Sequence, residues 1–361
     1  MKKFIGLSLL VFCLLFAACD NRLVTNNRNL NSSIYGLGEE PDPCLGLDNN
    51  SYFLSIQEQF TTLPGKVSVL LRATAIDGTP VSGLEASDFR LYEQGRNDAC
   101  FNPVSSSESF ARISPNAQIF SNNTLLVLDL SNSVLESSLE ELKTASTSFL
   151  NQVLPEVENE SVQMAIYWFD GEDELHLLQG ATSSKALLTE AIAGIEPGIS
   201  QDPSTDLYGA VIKSTEIAEE LIVDNLQDSF VTAASIVLFT DGSDQASRYT
   251  EEEALRVVEI ADPNISFYTI GLGAEIETDV LTAIGKTFSV IAQDKEELEQ
   301  TFSAISDRVS QAASSFYLFE YCSPKRDGSG FNNLVIQLVQ EDGQGAVQTR
   351  FDSDGFTGGC Q

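Results

Sequence analysis

The chain has 361 residues, of which 53 are Asp or Glu and only 20 are Lys or Arg, so its formal net charge is −33. This imbalance, in a sequence with no basic patch, excludes nucleic acid as a partner. Solubility is the ordinary explanation for so many carboxylates, and affinity for cations or basic partners is the alternative.

Residues 1–18 have the three regions of a secretory signal peptide. A basic start precedes an apolar run over residues 4–16, and two alanines stand directly before Cys19. Small residues before a cysteine resemble a bacterial lipobox, so Cys19 is predicted to become the lipidated first residue of the mature chain. The alternative is an ordinary signal peptide that is cut nearby.

The expected location follows from this N-terminus. The apolar run is shorter than the ~20 residues that a membrane span needs, and no later segment is long and apolar enough to span. We therefore expect an exported protein that acyl chains hold in the bacterial cell envelope. The outer membrane or the cell surface is favoured over the inner membrane.

The next segments change from a polar composition to a β pattern. Residues 19–50 are rich in Asn, Ser, Gly and Pro, which predicts a flexible tether. Residues 51–121 contain short runs of β-branched and aromatic residues between turn clusters, with strand candidates at 67–75 and 89–93.

Strands and helices alternate over residues 122–314. The apolar run Leu125–Leu128 has the length of a buried parallel strand, and the stripe from Leu135 to Val153 predicts one helix after it. Such alternation predicts an α/β fold with a doubly wound, mostly parallel sheet covered on both faces.

The pattern returns to β over residues 315–361. Because β segments flank the α/β region on both sides, we hypothesise that 315–361 completes one sandwich with 51–121, with the α/β region inserted into it. This hypothesis predicts contacts between residues near 67–93 and 316–351. Two separate β modules are the alternative.

Four cysteines remain once the signal peptide and Cys19 are set aside, and these are Cys44, Cys100, Cys322 and Cys360. An even number in an exported chain predicts two disulfides, with three possible pairings. We favour the local pairs, the first two and the last two, since each brackets one β segment. Zinc is disfavoured because the spacings are wide and contain no C-x-x-C pair.

Five side chains offer hard oxygen ligands at predicted strand ends or helix starts, and these are Asp129, Ser131, Ser133, Thr205 and Asp241. Two carboxylates and three hydroxyls suit Mg²⁺, with Mn²⁺ or Ca²⁺ as alternatives. Ligands of an open α/β sheet bind outside the carboxyl ends of its strands, where both aspartates would lie. Ser131 or Ser133 would also cap the first helix of this region.

The order of these motifs resembles a von Willebrand factor A (VWA) domain over residues 123–312. VLDLSNSV, STDLYGAV and VLFTDGSD follow one another as they do in that family. The resemblance implies that these five residues form a metal-ion-dependent adhesion site (MIDAS), which captures an Asp or Glu side chain of a protein partner. Residues 67–96 also resemble the immunoglobulin-like segment that precedes some bacterial members. An A domain whose site holds no metal is the alternative.

The leading hypothesis is a lipid-anchored cell-envelope protein that binds a protein partner through a divalent metal. The alternative is a structural envelope protein whose VWA domain does not use metal. We do not expect an enzyme, because the single histidine, His176, lies in a predicted strand where a structural role is favoured. The sequence also lacks a G-x-S-x-G elbow and a P-loop.

Overall fold

The computed structural model describes residues 37–47, 51–114, 120–227, 231–274, 276–325, 330–358 and 360. The predicted signal peptide over 1–18 and the predicted lipidation residue Cys19 lie outside these ranges. None of the described helices is both long enough and apolar enough to cross a membrane.

Strands come first along the chain, then strands alternating with helices, then strands again. The described strands are β1 (Tyr52–Thr62), β2 (Lys66–Ala75), β3 (Phe89–Gln94), β4 (Asn102–Pro103), β5 (Arg112–Ser114), β6 (Phe120–Asp129), β7 (Val162–Phe169), β8 (His176–Thr182), β9 (Val231–Thr240), β10 (Ile265–Leu272), β11 (Phe288–Ala292), β12 (Phe316–Cys322), β13 (Phe331–Gln340) and β14 (Gly343–Asp352). The described α-helices are α1 (Ser106–Ser109), α2 (Asn132–Ser137), α3 (Leu139–Val153), α4 (Lys185–Ala193), α5 (Leu207–Gln227), α6 (Glu251–Ile260), α7 (Thr278–Ile284) and α8 (Leu298–Ala313). Short 3-10 turns cover Pro43–Leu45, Ala86–Asp88 and Lys295–Glu297.

The α/β region is built on a sheet of six described strands in the order β11-β10-β9-β6-β7-β8. β8 runs antiparallel to β7, and the other neighbours are parallel. All eight residues of β10 are buried, as expected for a strand covered on both faces. The doubly wound, mostly parallel sheet predicted from the sequence is thus confirmed.

Helices cover the two faces of this sheet with separate apolar cores. On one face, Phe149 of α3 and Phe302 of α8 pack edge to face with ring centroids 6.0 Å apart. On the other face, the core includes Val211 of α5, Val258 of α6 and Ile284 of α7. Because β6, β7, β9 and β10 run parallel, their carboxyl ends lie at one edge of the sheet, where the candidate site is found.

Two local features differ from the sequence-based prediction. The stripe predicted as one helix from Leu135 to Val153 is divided into α2 and α3, because Ser138 has φ −138° and ψ 10° and interrupts the helical backbone. The sequence pattern also gave no signal for the short helix α7 and the strand β11, which complete the far side of the sheet.

The flanking β segments form two antiparallel sheets that share one core. The sheets have the orders β1-β2-β12-β5 and β14-β13-β3-β4, so each combines strands from before and after the α/β region. Val69 pairs with Phe319, and Leu91 pairs with Ile336. These are the contacts that the single-sandwich hypothesis predicts between residues near 67–93 and 316–351.

The connections into and out of the α/β region are neighbours in this sandwich. The chain leaves from β5 and returns in β12, and the two strands pair directly, with Ile113 opposite Phe319. The α/β region is therefore inserted between two adjacent antiparallel strands. Arg72 Nη1 also donates to the carbonyl oxygen of Pro263 at 2.6 Å, which joins the sandwich to the insert.

The start of the described chain is attached to the sandwich by backbone hydrogen bonds and by a disulfide. Leu37 N–H donates to Ile56 O at 2.8 Å, and Glu39 forms a β-bridge with Gln348. These residues lie in the segment that the sequence assigned to a tether, so the described part of that segment is packed against the sandwich. The disulfides join Cys44 to Cys100 and Cys322 to Cys360, the two local pairs favoured from the sequence.

Candidate metal centre

The candidate centre is built around the adjacent ends of two parallel strands. Asp129 is the last residue of β6, Thr240 is the last residue of β9, and Leu128 pairs with Phe239 one step earlier. Asp241 follows Thr240 directly in the sequence. The two aspartates are thus brought to the same edge of the sheet by strand register, as the sequence predicts.

Asp129 is completely buried and both of its carboxylate oxygens accept hydrogen bonds. Ser131 N–H donates to Oδ1 at 2.9 Å, and Thr240 Oγ1 donates to Oδ2 at 2.6 Å. Burial raises the pKa of Asp129 to about 7, and Asp241 adds to this rise, although the hydrogen bonds oppose it. A cation beside Asp129 would favour the ionised carboxylate and release a proton.

A short series of hydroxyls connects this buried region to the surface. Ser131 Oγ lies 3.2 Å from Ser133 Oγ, and Ser133 Oγ donates to Asp241 Oδ1 at 2.8 Å. Ser131 is buried, whereas Ser133 is exposed and Asp241 is partly exposed. Four of the five predicted residues are therefore joined into one cluster of oxygen atoms that reaches solvent.

The expectation that Ser131 or Ser133 caps the first helix is confirmed for the position of Ser131, although not by a side-chain hydrogen bond. Ser131 does occupy the N-cap position of α2, but its side chain makes no capping hydrogen bond. Its hydroxyl contacts Ser133, and the Ser133 hydroxyl contacts Asp241. Both hydroxyls thus face the cluster of oxygens, where they are available as ligands.

Thr205 is held by backbone contacts to the loop that follows Asp241. It is buried, and its carbonyl oxygen accepts the N–H groups of Gln245 at 2.8 Å and Ala246 at 3.1 Å. Asn132 N–H at the start of α2 donates to Pro203 O at 3.2 Å. The loops that carry the three motifs are therefore bonded to one another, with Thr205 between the other two.

An ionic network borders Thr205 on its C-terminal side. Asp206 is buried, which raises the pKa of its carboxyl group, and Lys213 and Arg248 partly offset this rise from 3.8 and 4.0 Å. Lys213 also binds Asp173 at 2.6 Å. These contacts hold the start of α5, and hence the Thr205 backbone, in a fixed position.

Two residues that support the centre were missed by the sequence reasoning. Thr240 contacts Asp129 only because β6 and β9 are neighbours in register, although it stands inside the VLFTDGSD motif. Asp170 directly follows β7, and its Oδ2 accepts the Ser200 hydroxyl at 2.7 Å and the Gln201 N–H at 3.2 Å. It thereby holds the loop that leads to Thr205.

The single histidine of the chain lies two strands from β6, at the first residue of β8. The His176 ring stacks on Trp168, with centroids 4.0 Å apart and planes 15° apart. This packing holds the ring in one orientation.

The donor set of the centre fits a divalent cation. Two carboxylates and two hydroxyls, all hard oxygen ligands, lie in the hydrogen-bonded cluster, with one carboxylate buried and one reaching the surface, and the Thr205 hydroxyl is on the adjoining loop. A cation bound there could thus be reached by a group from outside the protein.

Comparison with known proteins agrees with this geometry. The family model for the von Willebrand factor type A domain matches residues 123–304, half of the chain. Among curated proteins, no sequence shows a significant match.

Several solved structures match parts of this chain at low sequence identity. A von Willebrand factor type A protein from Catenulispora acidiphila is 12% identical with a TM-score of 0.44, covering 85% of this chain and 75% of that one. Proximal thread matrix protein 1 from the mussel byssus, solved with a zinc-occupied MIDAS motif, is 13% identical with a TM-score of 0.43, covering 53% of this chain and 48% of that one. This chain thus spans about half the length of the mussel protein. Manganese-loaded Plasmodium vivax TRAP protein is 12% identical with a TM-score of 0.42, covering 68% of this chain and 98% of that one.

The family assignment rests on the match to half of the sequence, in which the three motifs stand at neighbouring loops of one sheet edge. The chain therefore belongs to the von Willebrand factor type A domain family.

Proposed function

We propose that this chain is a lipid-anchored cell-envelope protein that binds a protein partner through a divalent cation. VWA domains are typically protein-interaction or adhesion modules. The proposed ligands of the cation are Asp129, Ser131, Ser133, Thr205 and Asp241.

The observation that carries this proposal is the continuous set of oxygen atoms from the buried Asp129 to the partly exposed Asp241. A carboxylate that only stabilised the fold would not need hydroxyls leading from it to the surface. Here Ser131 and Ser133 supply those hydroxyls, and the Ser131 side chain at the N-cap of α2 makes no capping hydrogen bond. The arrangement supports a cation that the protein coordinates on its buried side and that a partner can reach from the solvent side.

The oxygen donors favour Mg²⁺, with Mn²⁺ or Ca²⁺ as alternatives. A bound cation would supply a coordination position for an Asp or Glu carboxylate of the partner. Around it, Thr240 and the Ser131 N–H hold Asp129, and the Gln245 and Ala246 N–H groups hold the Thr205 loop. The chain's own residues thus orient the ligands before a partner arrives, which reduces the entropic cost of binding.

The proposed role is binding without catalysis. VWA domains are mostly non-enzymatic interaction modules, and nothing in the described site points to a catalytic activity. Capture of a partner requires only that the cation and the surrounding loops be in place.

Mg²⁺ titration of the chain without its predicted signal peptide tests the centre, read by calorimetry and by thermal unfolding. At a free Mg²⁺ concentration about 100 times Kd, binding should stabilise the wild-type protein by about 2.7 kcal/mol. Asp129→Ala combined with Asp241→Ala should abolish this gain, because both carboxylates are removed. Asp307→Ala, which removes an exposed carboxylate on α8, is the matched control and should keep the full gain.

Each variant is compared with its own metal-free form, so a general loss of stability does not affect the result. An equal Mg²⁺ response in the double variant would place the ion elsewhere. No saturable binding to the wild-type protein would favour a structural envelope protein that does not use metal.

The anchoring part of the proposal concerns Cys19 and is tested separately. The full-length chain expressed in a Gram-negative host should fractionate with membranes and incorporate labelled palmitate, with the outer membrane or surface favoured. Cys19→Ala should release it as an unlabelled, soluble exported protein. Membrane association that is unchanged in this variant would contradict lipid anchoring at Cys19.

A further inference from the structure

A second group of side chains that could hold a metal ion lies beside the proposed MIDAS and shares none of its ligands. Asp170 and Glu172 lie on the turn between β7 and β8, His176 is the first residue of β8, and one ligand atom from each lies within 4.8 Å of the others. Asp170 directly follows Phe169, which pairs with Asp129 across the sheet. The two groups are thus neighbours at the same sheet edge.

The spacing of the three ligand atoms is close to that of a metal site. Zn²⁺ binds His nitrogen and carboxylate oxygen at about 2.0–2.2 Å, so two ligands of one ion can be at most ~4.4 Å apart. The three ligand atoms lie within 4.8 Å of one another, so a small side-chain rotation would bring them within this distance. Glu172 can supply it, because 43% of its side chain is exposed.

Two of the three ligands are already held in place by outer contacts. Asp170 Oδ1 accepts the Glu172 N–H at 2.8 Å, while its Oδ2 accepts the Ser200 hydroxyl and the Gln201 and Asp202 N–H groups. The His176 ring is fixed by stacking on Trp168. Second contacts of this kind orient the ligands of protein metal sites.

The imidazole presents a nitrogen whose bonding capacity is unused. His176 Nε2 is buried and has no hydrogen-bond partner within the described residues. Glu172 Oε2 lies 3.6 Å away, which is beyond hydrogen-bond distance. A buried polar atom without a partner is costly, and a metal ion between this nitrogen and the carboxylate would satisfy it.

We propose that Asp170, Glu172 and His176 form a second metal site, selective for a transition-metal ion such as Zn²⁺. Imidazole nitrogen with two carboxylates suits Zn²⁺, whereas the all-oxygen donors around Asp129 suit Mg²⁺. The partial exposure of Glu172 and His176 gives the ion a path from solvent. The two sites would therefore be filled by different ions in the same medium.

The test is a Zn²⁺ titration of the chain without its signal peptide, performed in saturating Mg²⁺. Wild-type protein should bind one Zn²⁺, and X-ray absorption should show a nitrogen ligand at about 2.0–2.1 Å. His176→Phe retains a flat ring against Trp168 but has no nitrogen, so Zn²⁺ affinity should fall at least about tenfold. Glu172→Gln, at a partly exposed position that the fold tolerates, should give a similar loss.

The Asp129→Ala, Asp241→Ala double variant separates the two sites. It should keep Zn²⁺ binding in full under this proposal. Zn²⁺ binding that is lost in this variant but kept in His176→Phe would place the ion at the Asp129 centre and overturn the proposal. The absence of Zn²⁺ binding to wild-type protein in Mg²⁺, or unchanged affinity in both Glu172→Gln and His176→Phe, would overturn it as well.

Discussion

Asp129 in the α/β region and Glu93 in the sandwich are both buried carboxylates, but their surroundings differ. Asp129 is 0% exposed and has hydrogen-bond donors on both oxygens, whereas Glu93 in β3 is 3% exposed. Glu93 Oε1 accepts the Tyr321 hydroxyl at 2.9 Å, and no hydrogen-bond partner is found for Oε2 within the described residues. Burial raises the pKa of both groups.

The difference lies in what surrounds each acid. Asp129 is linked through Ser131 and Ser133 to oxygen atoms that reach solvent, so a bound cation could offset the desolvation cost of its burial. Glu93 lies between the sheets of the sandwich, where only Tyr321, Ser323 and Lys325 oppose the rise of its pKa. Burial of a carboxylate therefore indicates a binding site only where further ligands connect it to the surface. Without such ligands or an ion-pair partner, burial of a carboxylate is a cost to stability.

A third buried acid shows how the sandwich can hold a carboxylate without such a cost. Glu320 in β12 binds Lys66 and Arg112, each at 2.8 Å. Glu320→Gln should destabilise the protein by about 2 kcal/mol, since charge-assisted hydrogen bonds contribute about 1.5–3 kcal/mol. Urea unfolding at pH 7 measures this change.

Glu39→Gln is the matched control for this variant. Its ion pair with Arg350 is 3.9 Å long and both side chains are exposed, so no measurable change is expected. Equal effects of the two substitutions would show that pairing does not distinguish Glu320.

The support of Asp129 by Thr240 can be removed without touching a proposed ligand. Thr240→Val deletes the donor to Asp129 Oδ2 and should weaken Mg²⁺ binding about tenfold, as outer contacts of metal sites typically do. Thr240→Ser keeps the hydroxyl and should retain near-normal affinity. Calorimetric titration of both variants decides, and equal affinities would show that this hydrogen bond does not support the site.

The smallest expected effect has the opposite sign. Because the pKa of Glu93 is raised in the folded state, its favourable contribution is complete below the unfolded pKa of about 4.3 and is lost as pH rises through the folded pKa. Glu93→Gln removes this ionisation and should stabilise the protein at pH 7 by about 1 kcal/mol. The difference from wild type should shrink toward pH 4 in urea unfolding curves. A pH-independent difference would contradict the assignment to Glu93 ionisation.

The sequence predicts the α/β architecture and the candidate ligands because both depend on local patterns. Apolar runs such as Leu125–Leu128 identify buried strands, and motifs at strand ends identify Asp129 and Asp241. The role of Thr240 depends on the register of β6 against β9, which no local pattern encodes. The break at Ser138 was also missed, because apolar residues keep helical spacing across it.

Other features depend on contacts between distant parts of the chain. The attachment of Glu39 to Gln348 could not be read from a polar, Gly- and Pro-containing segment, since its composition alone resembles a linker. The pairing of Asp170 with Ser200, 30 residues away, likewise requires the fold.

The adjacency of β5 and β12 has a mechanical consequence. Both covalent links to the α/β region emerge from paired strands of one sheet, and β12 lies inside that sheet between β2 and β5. A force applied to a partner bound at the proposed metal centre would be shared by the connections to β5 and to β12. Because β12 is hydrogen-bonded on both sides, its share of the force would reach the interior of the sheet. Under the proposed function, these two connections would resist extraction of the insert better than a single terminal linker would.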